Sequence, residues 1–336
     1  MSARQQRDSA FSRKTAAIGA AALLCGSALA AAPLAFAQDY PSRPVRIVIG
    51  FPPGGATDLV MRLMAPKYAD IFKQQFIVEN RPGANGVIAT DLAAKAPPDG
   101  HLIHLATIGT LVISPAITKV PYDPSKDLAP VSQVVALQNI FIVHPTVPVK
   151  TLKDLIALAK AKPGAFNYAT SGSGSPGHLA TELFKSMTNV NIVHVPYKGG
   201  GPAMTDLLGG HIEIFVAVIS TAVPQVKAGK ARALAVTGAK RAAVLADVPT
   251  VAEAGLKGYE ATNWYGLVVP AATPRPIIDR LNRETVNILN MPDIQKALLD
   301  RGIDAAPSSP EEFGRYIRSE NDKWVKVIKA VGIKPN

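Results

Sequence analysis

The 336-residue sequence is long enough for two domains with separate cores, and its formal net charge at pH 7 is +11. Lysine and arginine are scattered rather than clustered in runs of five or six, so no nucleic-acid partner is expected, and the positive charge only favours anionic ligands. The single cysteine, Cys25, excludes an intramolecular disulfide framework.

The first 37 residues have the features of a cleavable export signal. Its basic start contains Arg4, Arg7, Arg13 and Lys14. A small apolar run over 15–32 follows, and Ala35-Phe36-Ala37 predicts cleavage before Gln38 and a periplasmic location. The alternative is a membrane anchor, which needs about 20 strongly apolar residues, whereas this run is rich in alanine, glycine and serine.

Cleavage would leave 299 residues and remove Cys25. The signal carries four basic residues and Asp8, a net of +3, so the mature chain would carry +8. Without cysteine, it has neither a thiolate metal site nor a cysteine nucleophile. Because no later segment offers 18 consecutive apolar residues, the mature protein is expected to be soluble.

Short apolar runs alternate with helical spacing, which predicts α/β architecture with largely parallel sheets. In the first part, strands are predicted over 45–50, 76–79 and 102–106, and helices over 57–72 and 86–94. An apolar run follows over 140–143. Helices are then predicted over 152–161, 178–188, 202–208 and 221–228, and strands over 166–169, 192–195, 212–218 and 231–237. A β-like segment over 264–269 and long amphipathic helices over 277–330 complete the chain.

Because the pattern restarts at Thr151, we predict a second lobe inserted into the first. The predicted division is a signal peptide over 1–37, lobe 1 over 38–142 plus 262–336, and lobe 2 over 143–261. Two crossing strands permit hinge bending between lobes, and small ligands usually bind in the cleft between them.

The first candidate binding segment lies between a predicted strand and a predicted helix. Its residues are Pro53, Gly54, Gly55, Ala56, Thr57 and Asp58. Glycine lets the backbone approach a ligand, and the free N–H groups of a helix start bind anions. An ordinary strand-to-helix turn is the alternative.

The second candidate segment has the same context. Its residues are Ser171, Gly172, Ser173, Gly174, Ser175, Pro176, Gly177 and His178. The glycines satisfy G-x-G-x-x-G, but a dinucleotide site needs an acidic residue about 20 positions later, where this chain has His194-Val195-Pro196-Tyr197-Lys198. The segment is therefore interpreted as an anion-binding loop of N–H and hydroxyl donors.

A third glycine-rich segment contains Tyr197, Lys198 and Gly199, and Lys198 is either a ligand-facing cation or a solvated surface residue. Little supports catalysis, since no serine satisfies G-x-S-x-G and His178 is expected to cap or pack at its helix start. The other histidines lack metal-ligand spacing. We therefore expect no enzyme, no metal and no cofactor.

Eight segments, taken in order, resemble the substrate-binding receptors of tripartite tricarboxylate transporters, also called Bug receptors. They are YPSRPVRIVIGFPPGGATD, VENRPGANG, APPDGHLI, YATSGSGSPGHLATELF, VHVPYKGGGPAMTDLLGG, KAGKARALAVTGAKR, LADVPTVAEAG and NWYGLVVP. The resemblance covers nearly all of residues 40–334.

The resemblance implies a two-lobed fold of the type II periplasmic-binding-protein kind, with two crossing hinge strands. It also implies that backbone N–H groups and small side chains of facing loops grip a small organic carboxylate, which is passed to membrane transporter subunits. Carried onto this chain, the facing loops are 53–58 and 171–178. Gly86, Gly109 and Thr110 would lie nearby, with Tyr197, Lys198 and Gly199 as further candidates.

One departure from the family pattern bears on the ligand. Many relatives have a Phe-Asp pair where this chain has Val216-Ala217, so the resemblance favours an acidic or aromatic acid over an amino acid. The rival functions are an exported hydrolase or dinucleotide enzyme and a sensor subunit for a membrane kinase. A monomer is expected.

Overall fold

The computed structural model describes residues 40–331, and the predicted signal peptide lies outside them. Within this described range, no helix combines the length and the apolar character needed to cross a bilayer. The fold is built on a sheet of ten strands, against which helices pack.

The strands and helices follow one another in the alternating order that the sequence predicts. The strands are β1 (Val45–Ile49), β2 (Phe76–Asn80), β3 (Leu102–Thr107), β4 (Leu128–Val143), β5 (Asn167–Thr170), β6 (Val193–Pro196), β7 (Ile214–Val218), β8 (Arg232–Val236), β9 (Thr262–Pro270) and β10 (Ile303–Ala305). The α-helices are α1 (Ala56–Phe72), α2 (Val87–Ala94), α3 (Ser114–Ile117), α4 (Leu152–Ala161), α5 (Pro176–Thr188), α6 (Gly200–Leu208), α7 (Ile219–Lys227), α8 (Arg275–Leu289), α9 (Pro292–Leu299) and α10 (Pro310–Val331). Two short 3₁₀ turns, Ala84–Gly86 and Ala243–Leu245, and a π-helical turn, Gly109–Ile113, complete the assignment.

The sheet is mixed, so the prediction of largely parallel strands was wrong for its centre. The strand order is β2-β1-β3-β9-β4-β7-β5-β6, and β8 and β10 also pair with β4. The outer pairs β1–β2, β1–β3, β5–β6 and β5–β7 are parallel. Every pair that contains β4 or β9 is antiparallel. The reason is that β4 and β9 connect the two halves by running in opposite directions side by side.

Strand β4 belongs to both halves of the sheet. Its residues from Leu128 to Gln138 pair with β9, and those from Asn139 to Val143 pair with β7. The chain leaves the second half at Ala261, whose N–H donates to the carbonyl of Thr237, and Thr262 then pairs with Gln138. The two crossing strands are therefore adjacent and hydrogen-bonded to each other.

The end of β4 contributes side chains to two hydrophobic clusters, because successive side chains of a strand point to opposite faces. Phe141 and Val143 belong to the larger cluster, which also contains Trp264. Ile140 and Ile142 belong to a second cluster, built on the helices and strands of residues 140–248. All four of these β4 side chains are fully buried. The fold is thus an α/β structure with a mixed sheet in two halves, joined by the crossing strands β4 and β9.

Candidate functional site

A small cavity lies beside the crossing strands, where both halves of the sheet contribute residues. Its volume is about 70 Å³, which is enough for several water molecules. We call it the inner cavity. It is lined by Phe51, Pro52, Pro53, Gly55, Ala56, Thr57, Thr107, Asn139, Ser171, Pro176, Gly200, Gly201, Pro202, Phe215, Val216, Val218, Thr221, Asn263 and Tyr265.

Four helices begin at the inner cavity. Helices α1, α5 and α6 each contribute their first residue to its lining, and α7 contributes its N-cap residue Val218 and Thr221. The first N–H groups of a helix have no carbonyl partner within the helix, and the helix dipole gives them partial positive charge. Four such ends converge on the cavity, and free backbone N–H groups at helix starts are the groups that bind anions in proteins. At α5, Pro176 carries no N–H and the His178 N–H is donated to Ser175.

The lining contains no aspartate, glutamate, lysine, arginine or histidine; within residues 40–331, tyrosine is its most acidic side chain. Burial raises the pKa of that residue, Tyr265, so it stays protonated. An acid–base mechanism needs a group that gains and loses a proton near neutral pH. None of the described residues that line the inner cavity is such a group.

Three polar side chains in the lining are buried without a well-formed hydrogen bond to the described part of the protein. They are the hydroxyl of Thr57 and the carboxamides of Asn139 and Asn263, in residues that are 3%, 1% and 1% exposed. The Asn263 carboxamide does interact with the phenol of Tyr265. Burying a polar group without a partner costs about 1–3 kcal/mol, so such groups are typical of a ligand site.

The first predicted loop is held in shape by Asp58. Its carboxylate accepts hydrogen bonds from the Gly54 N–H at 3.0 Å, from Arg62 at 2.9 Å and from the Asn80 amide at 3.0 Å. Burial works to raise the pKa of Asp58, but these hydrogen bonds hold it below its ordinary value. Gly54 and Asp58 therefore bind each other, while Pro53, Gly55, Ala56 and Thr57 line the inner cavity.

The second predicted loop divides between lining and support. Ser171 lines the inner cavity, whereas Ser175 is the N-cap of α5 and accepts the N–H of His178 at 3.3 Å. The Nδ1 atom of His178 accepts the N–H of Gly174 at 3.1 Å. His178 therefore supports the loop from behind, in agreement with the prediction that it caps or packs at its helix start.

Behind this loop lies a stack of three rings. The imidazoles of His178 and His194 are 4.1 Å apart, and His194 lies 4.9 Å from Tyr168. Burial, the neighbouring His178 and the charge of Lys185 lower the pKa of His194 to about 3. Burial also lowers the pKa of His178. Both rings are therefore neutral at neutral pH, which leaves His178 Nδ1 able to accept from Gly174.

An outer cleft of about 610 Å³ continues from the inner cavity toward solvent. The two share lining residues Phe51, Pro52, Ser171 and Pro202. Of the predicted residues, Gly172, Ser173, Tyr197, Lys198 and Gly199 line only this cleft. The Lys198 side chain is exposed, and the Tyr197 hydroxyl donates to Asp206 at 2.6 Å.

The two halves of the fold approach each other at the rim of the outer cleft. A Cβ atom built on Gly199 would lie 3.1 Å from Cδ of Pro52, and one built on Gly172 would lie 3.7 Å from Oδ1 of Asn85. Asn85 has a positive φ of 52° and a buried, unpartnered carboxamide within the described chain. Backbone strain at a cleft rim is typical of a functional segment.

Three residues implied by the resemblance lie behind the cleft rather than in its lining. Gly86 packs so closely on Gly50 that a Cβ on Gly50 would come within 2.5 Å of Gly86 Cα. The hydroxyl of Thr110 donates to the Thr107 carbonyl at 3.2 Å. Gly109 lies between Thr107 and Asn85. These residues shape the wall that carries Thr107 and Asn85, both of which do line a cavity.

Sequence reasoning missed the strand residues of the site. Asn139 and Asn263 sit in the apolar runs ALQNIFIV and TNWYGLVVP, and a polar residue inside a buried strand was the available signal. Phe215, Val216 and Val218 supply the apolar side of the cavity. The pair Val216-Ala217 departs from the family pattern, and its two side chains lie in different places. Val216 lines the cavity, whereas Ala217 is buried in a hydrophobic cluster.

Comparison with known proteins decides the family. Residues 60–333 match the TctC family, described as the tripartite tricarboxylate transporter family receptor. Protein BugT of Bordetella pertussis is 35% identical over 309 residues, covering 90% of this chain and 94% of BugT. This chain belongs to the TctC family.

Solved structures agree with this membership. The R. palustris protein Rpa4515 with adipate has a TM-score of 0.86 and 37% identity, covering 89% of this chain and 100% of that chain. MatC (Rpa3494) from Rhodopseudomonas palustris with bound malate has a TM-score of 0.82 and 31% identity, covering 86% and 100%. The predicted family and the predicted two-lobed fold are confirmed, and this TctC chain is a solute-binding receptor.

Proposed function

We propose that this TctC receptor binds a small organic carboxylate in the inner cavity and delivers it to the membrane subunits of a tripartite transporter. The observation that carries the proposal is the convergence of four helix N-termini on a cavity without charged side chains in its lining. Such a site neutralises an anion with backbone dipoles and N–H groups. Rpa4515 with adipate and MatC with malate support a carboxylate as the ligand.

The ligand carboxylate would accept hydrogen bonds from the first turn of α1 in one lobe and from the Ser171 loop and α5 in the other. Hydrogen bonds to a charged group contribute about 1.5–3 kcal/mol each. Three or four of them would contribute roughly 5–12 kcal/mol, and the cost of ordering ligand and loops is subtracted from this sum. A net value of roughly 8 kcal/mol corresponds to micromolar binding. Micromolar affinity is therefore the expected range.

Closure of the lobes would both enclose the ligand and create the surface that the membrane partner recognises. We propose lobe 1 as residues 38–142 plus 262–336 and lobe 2 as 143–261, joined by β4 and β9. Opening of the lobes would separate Pro52 from Gly199 and Asn85 from Gly172 at the rim, and closure would bring each pair together as in this structure. Bending would occur near Gln138 and Ala261, where the chain passes from one half of the sheet to the other.

The receptor would act outside the inner membrane as a monomer without catalytic activity, after removal of residues 1–37. The basic start, apolar run and Ala35-Phe36-Ala37 of that segment support periplasmic export. The lack of a proton-transferring side chain in the lining supports capture rather than turnover. A membrane sensor kinase is the alternative partner, and the ligand site would be the same for both.

A thermal-shift assay with mono-, di- and aromatic carboxylates tests this function. Gly54→Val and Gly258→Val form a matched pair, since both glycines have a positive φ, 81° and 83°, and open space around an added Cβ. Both substitutions strain the backbone equally, but only Gly54 shapes the loop at α1. We expect Gly54→Val to lose the carboxylate-induced shift and Gly258→Val to keep it. A full response in both variants would refute the loop assignment, and no response to any carboxylate would refute the function.

A further inference from the structure

The crossing strands bring two asparagines to the inner cavity. Asn139 lies on β4 opposite Val218, and Asn263 lies on β9 opposite Leu137. The backbone of Asn139 is satisfied, because its N–H donates to the Thr237 hydroxyl at 3.0 Å and its carbonyl accepts the Thr237 N–H at 2.9 Å. Its carboxamide is not needed to hold the strand in place.

Neither the donor nor the acceptor of the Asn139 carboxamide has a partner within residues 40–331. The Asn263 carboxamide lies in the same lining and interacts there with the Tyr265 phenol, without a well-formed hydrogen bond. Both residues are only 1% exposed, so their carboxamides have little contact with bulk solvent. A buried carboxamide offers two N–H donors and one carbonyl acceptor, and leaving either kind unused is unfavourable.

This donor–acceptor pattern restricts the ligand group that fits against the asparagines. An ionised carboxylate only accepts hydrogen bonds, so it would leave the Asn139 carbonyl oxygen without a donor and close to negative charge. An ammonium group only donates, and the cavity has no carboxylate to balance it while four helix N-termini oppose its charge. A hydroxyl both donates and accepts, and it can use an amide oxygen and an amide nitrogen at once.

We propose that Asn139 and Asn263 form a second, uncharged recognition point for a hydroxyl group, so that this receptor selects hydroxycarboxylates. The inference rests on the proposed function, because the helix N-termini must hold the ligand carboxylate. In this arrangement, the hydroxyl donates to one carboxamide oxygen and accepts from the other carboxamide nitrogen. Phe215 and Val216 contact the carbon chain between the two polar ends.

Calorimetric titration with matched acids tests the inference. The pairs are succinate with malate, glutarate with 2-hydroxyglutarate, and butyrate with 3-hydroxybutyrate, using both enantiomers of each hydroxy acid. A site built to hydrogen-bond a hydroxyl rejects the analogue that lacks it. We expect at least one hydroxy acid to bind the wild-type receptor about tenfold or more tightly than its partner. The ratio should fall to about one in Asn139→Leu, which keeps the branching at Cγ and removes both amide groups.

Asn263→Leu provides an independent second variant, and the melting temperature of each variant reports whether it folds. Equal affinities for both members of every pair, in a wild-type receptor that binds carboxylates, would overturn this inference and leave the proposed function standing. A ratio retained in both variants would also overturn it. If no carboxylate of any class binds the wild-type receptor, the proposed function fails and this inference fails with it.

Discussion

The Thr57 hydroxyl provides a sharp test of the site, because its removal should change protein stability and ligand affinity in opposite directions. It is buried at the start of α1, lines the inner cavity and has no partner among residues 40–331. Thr57→Val replaces the hydroxyl by a methyl group of nearly the same shape and of similar helix propensity. The substitution therefore isolates the hydrogen-bonding capacity of one oxygen atom.

Two opposite effects are expected from Thr57→Val. Without ligand, removal of an unpartnered buried hydroxyl should raise the free energy of unfolding by about 1 kcal/mol, or the melting temperature by about 2 °C in a chain of this size. With ligand, the loss of one hydrogen bond to a carboxylate should cost about 1.5–3 kcal/mol, which is roughly a 10- to 150-fold weaker affinity. Greater stability with weaker binding is the expected signature.

Thr90→Val is the matched control in α2. The Thr90 hydroxyl is also buried, but it lies within hydrogen-bond distance of two acceptors, the Gly86 carbonyl at 3.1 Å and Nε2 of His104 at 2.9 Å, so its proton has a partner. Its loss should lower the free energy of unfolding by about 2 kcal/mol. Differential scanning calorimetry and titration with the acid that gives the largest thermal shift measure both quantities. If Thr57→Val destabilises the receptor as Thr90→Val does, or leaves affinity unchanged, Thr57 is not a ligand contact.

Further predictions concern the support of the site. Gly177→Ala should lower the melting temperature and abolish carboxylate binding, because its Cβ would lie 2.5 Å from the backbone oxygen of Val216; a fully functional variant would contradict this packing. Stability should also fall as the pH drops below about 6.5, the ordinary histidine value, because burial lowers the pKa of His104 to about 4 and of His194 to about 3. The unfolded chain then binds more protons than the native one. The free energy of unfolding therefore falls by up to about 1.4 kcal/mol per pH unit for each histidine. Between pH 7.5 and 5, the melting temperature of His194→Gln should depend less on pH than that of the wild type. An unchanged slope would be inconsistent with a buried neutral His194.

The sequence predicted elements well where one signal dominated. The strand β1 and helix α1 were predicted almost to their ends, because a continuous apolar run is followed by glycines and then by helical spacing. Strand β4 was predicted only over 140–143, although it begins at Leu128. Its first part contains Pro130, Ser132 and Gln133, and the β4–β9 register shifts there. Pairing with a strand more than 120 residues away stabilises this segment, and no local pattern reveals that.

The candidate site shows the same division between local and distant information. Backbone donors at helix starts are predictable because a glycine-rich turn before a helix is a local pattern, and Ala56 and Ser171 do line one cavity. Asn139 and Asn263 could not be assigned, because their proximity depends on β4 pairing with β9. Asp58 illustrates the converse. It was included in the candidate segment because of the backbone N–H groups at a helix start, whereas its carboxylate accepts the N–H of Gly54.

The described residues that line the inner cavity carry no formal charge, and this bears on how the receptor would respond to the salt concentration around it. Dissolved ions weaken forces between separated charges, but they do not enter a closed site and scarcely affect short hydrogen bonds from backbone amides. If residues 1–37 are removed as predicted, the remaining net charge of +8 would act mainly on the approach of an anion. A change in salt concentration should therefore alter the association rate of the ligand far more than its dissociation rate.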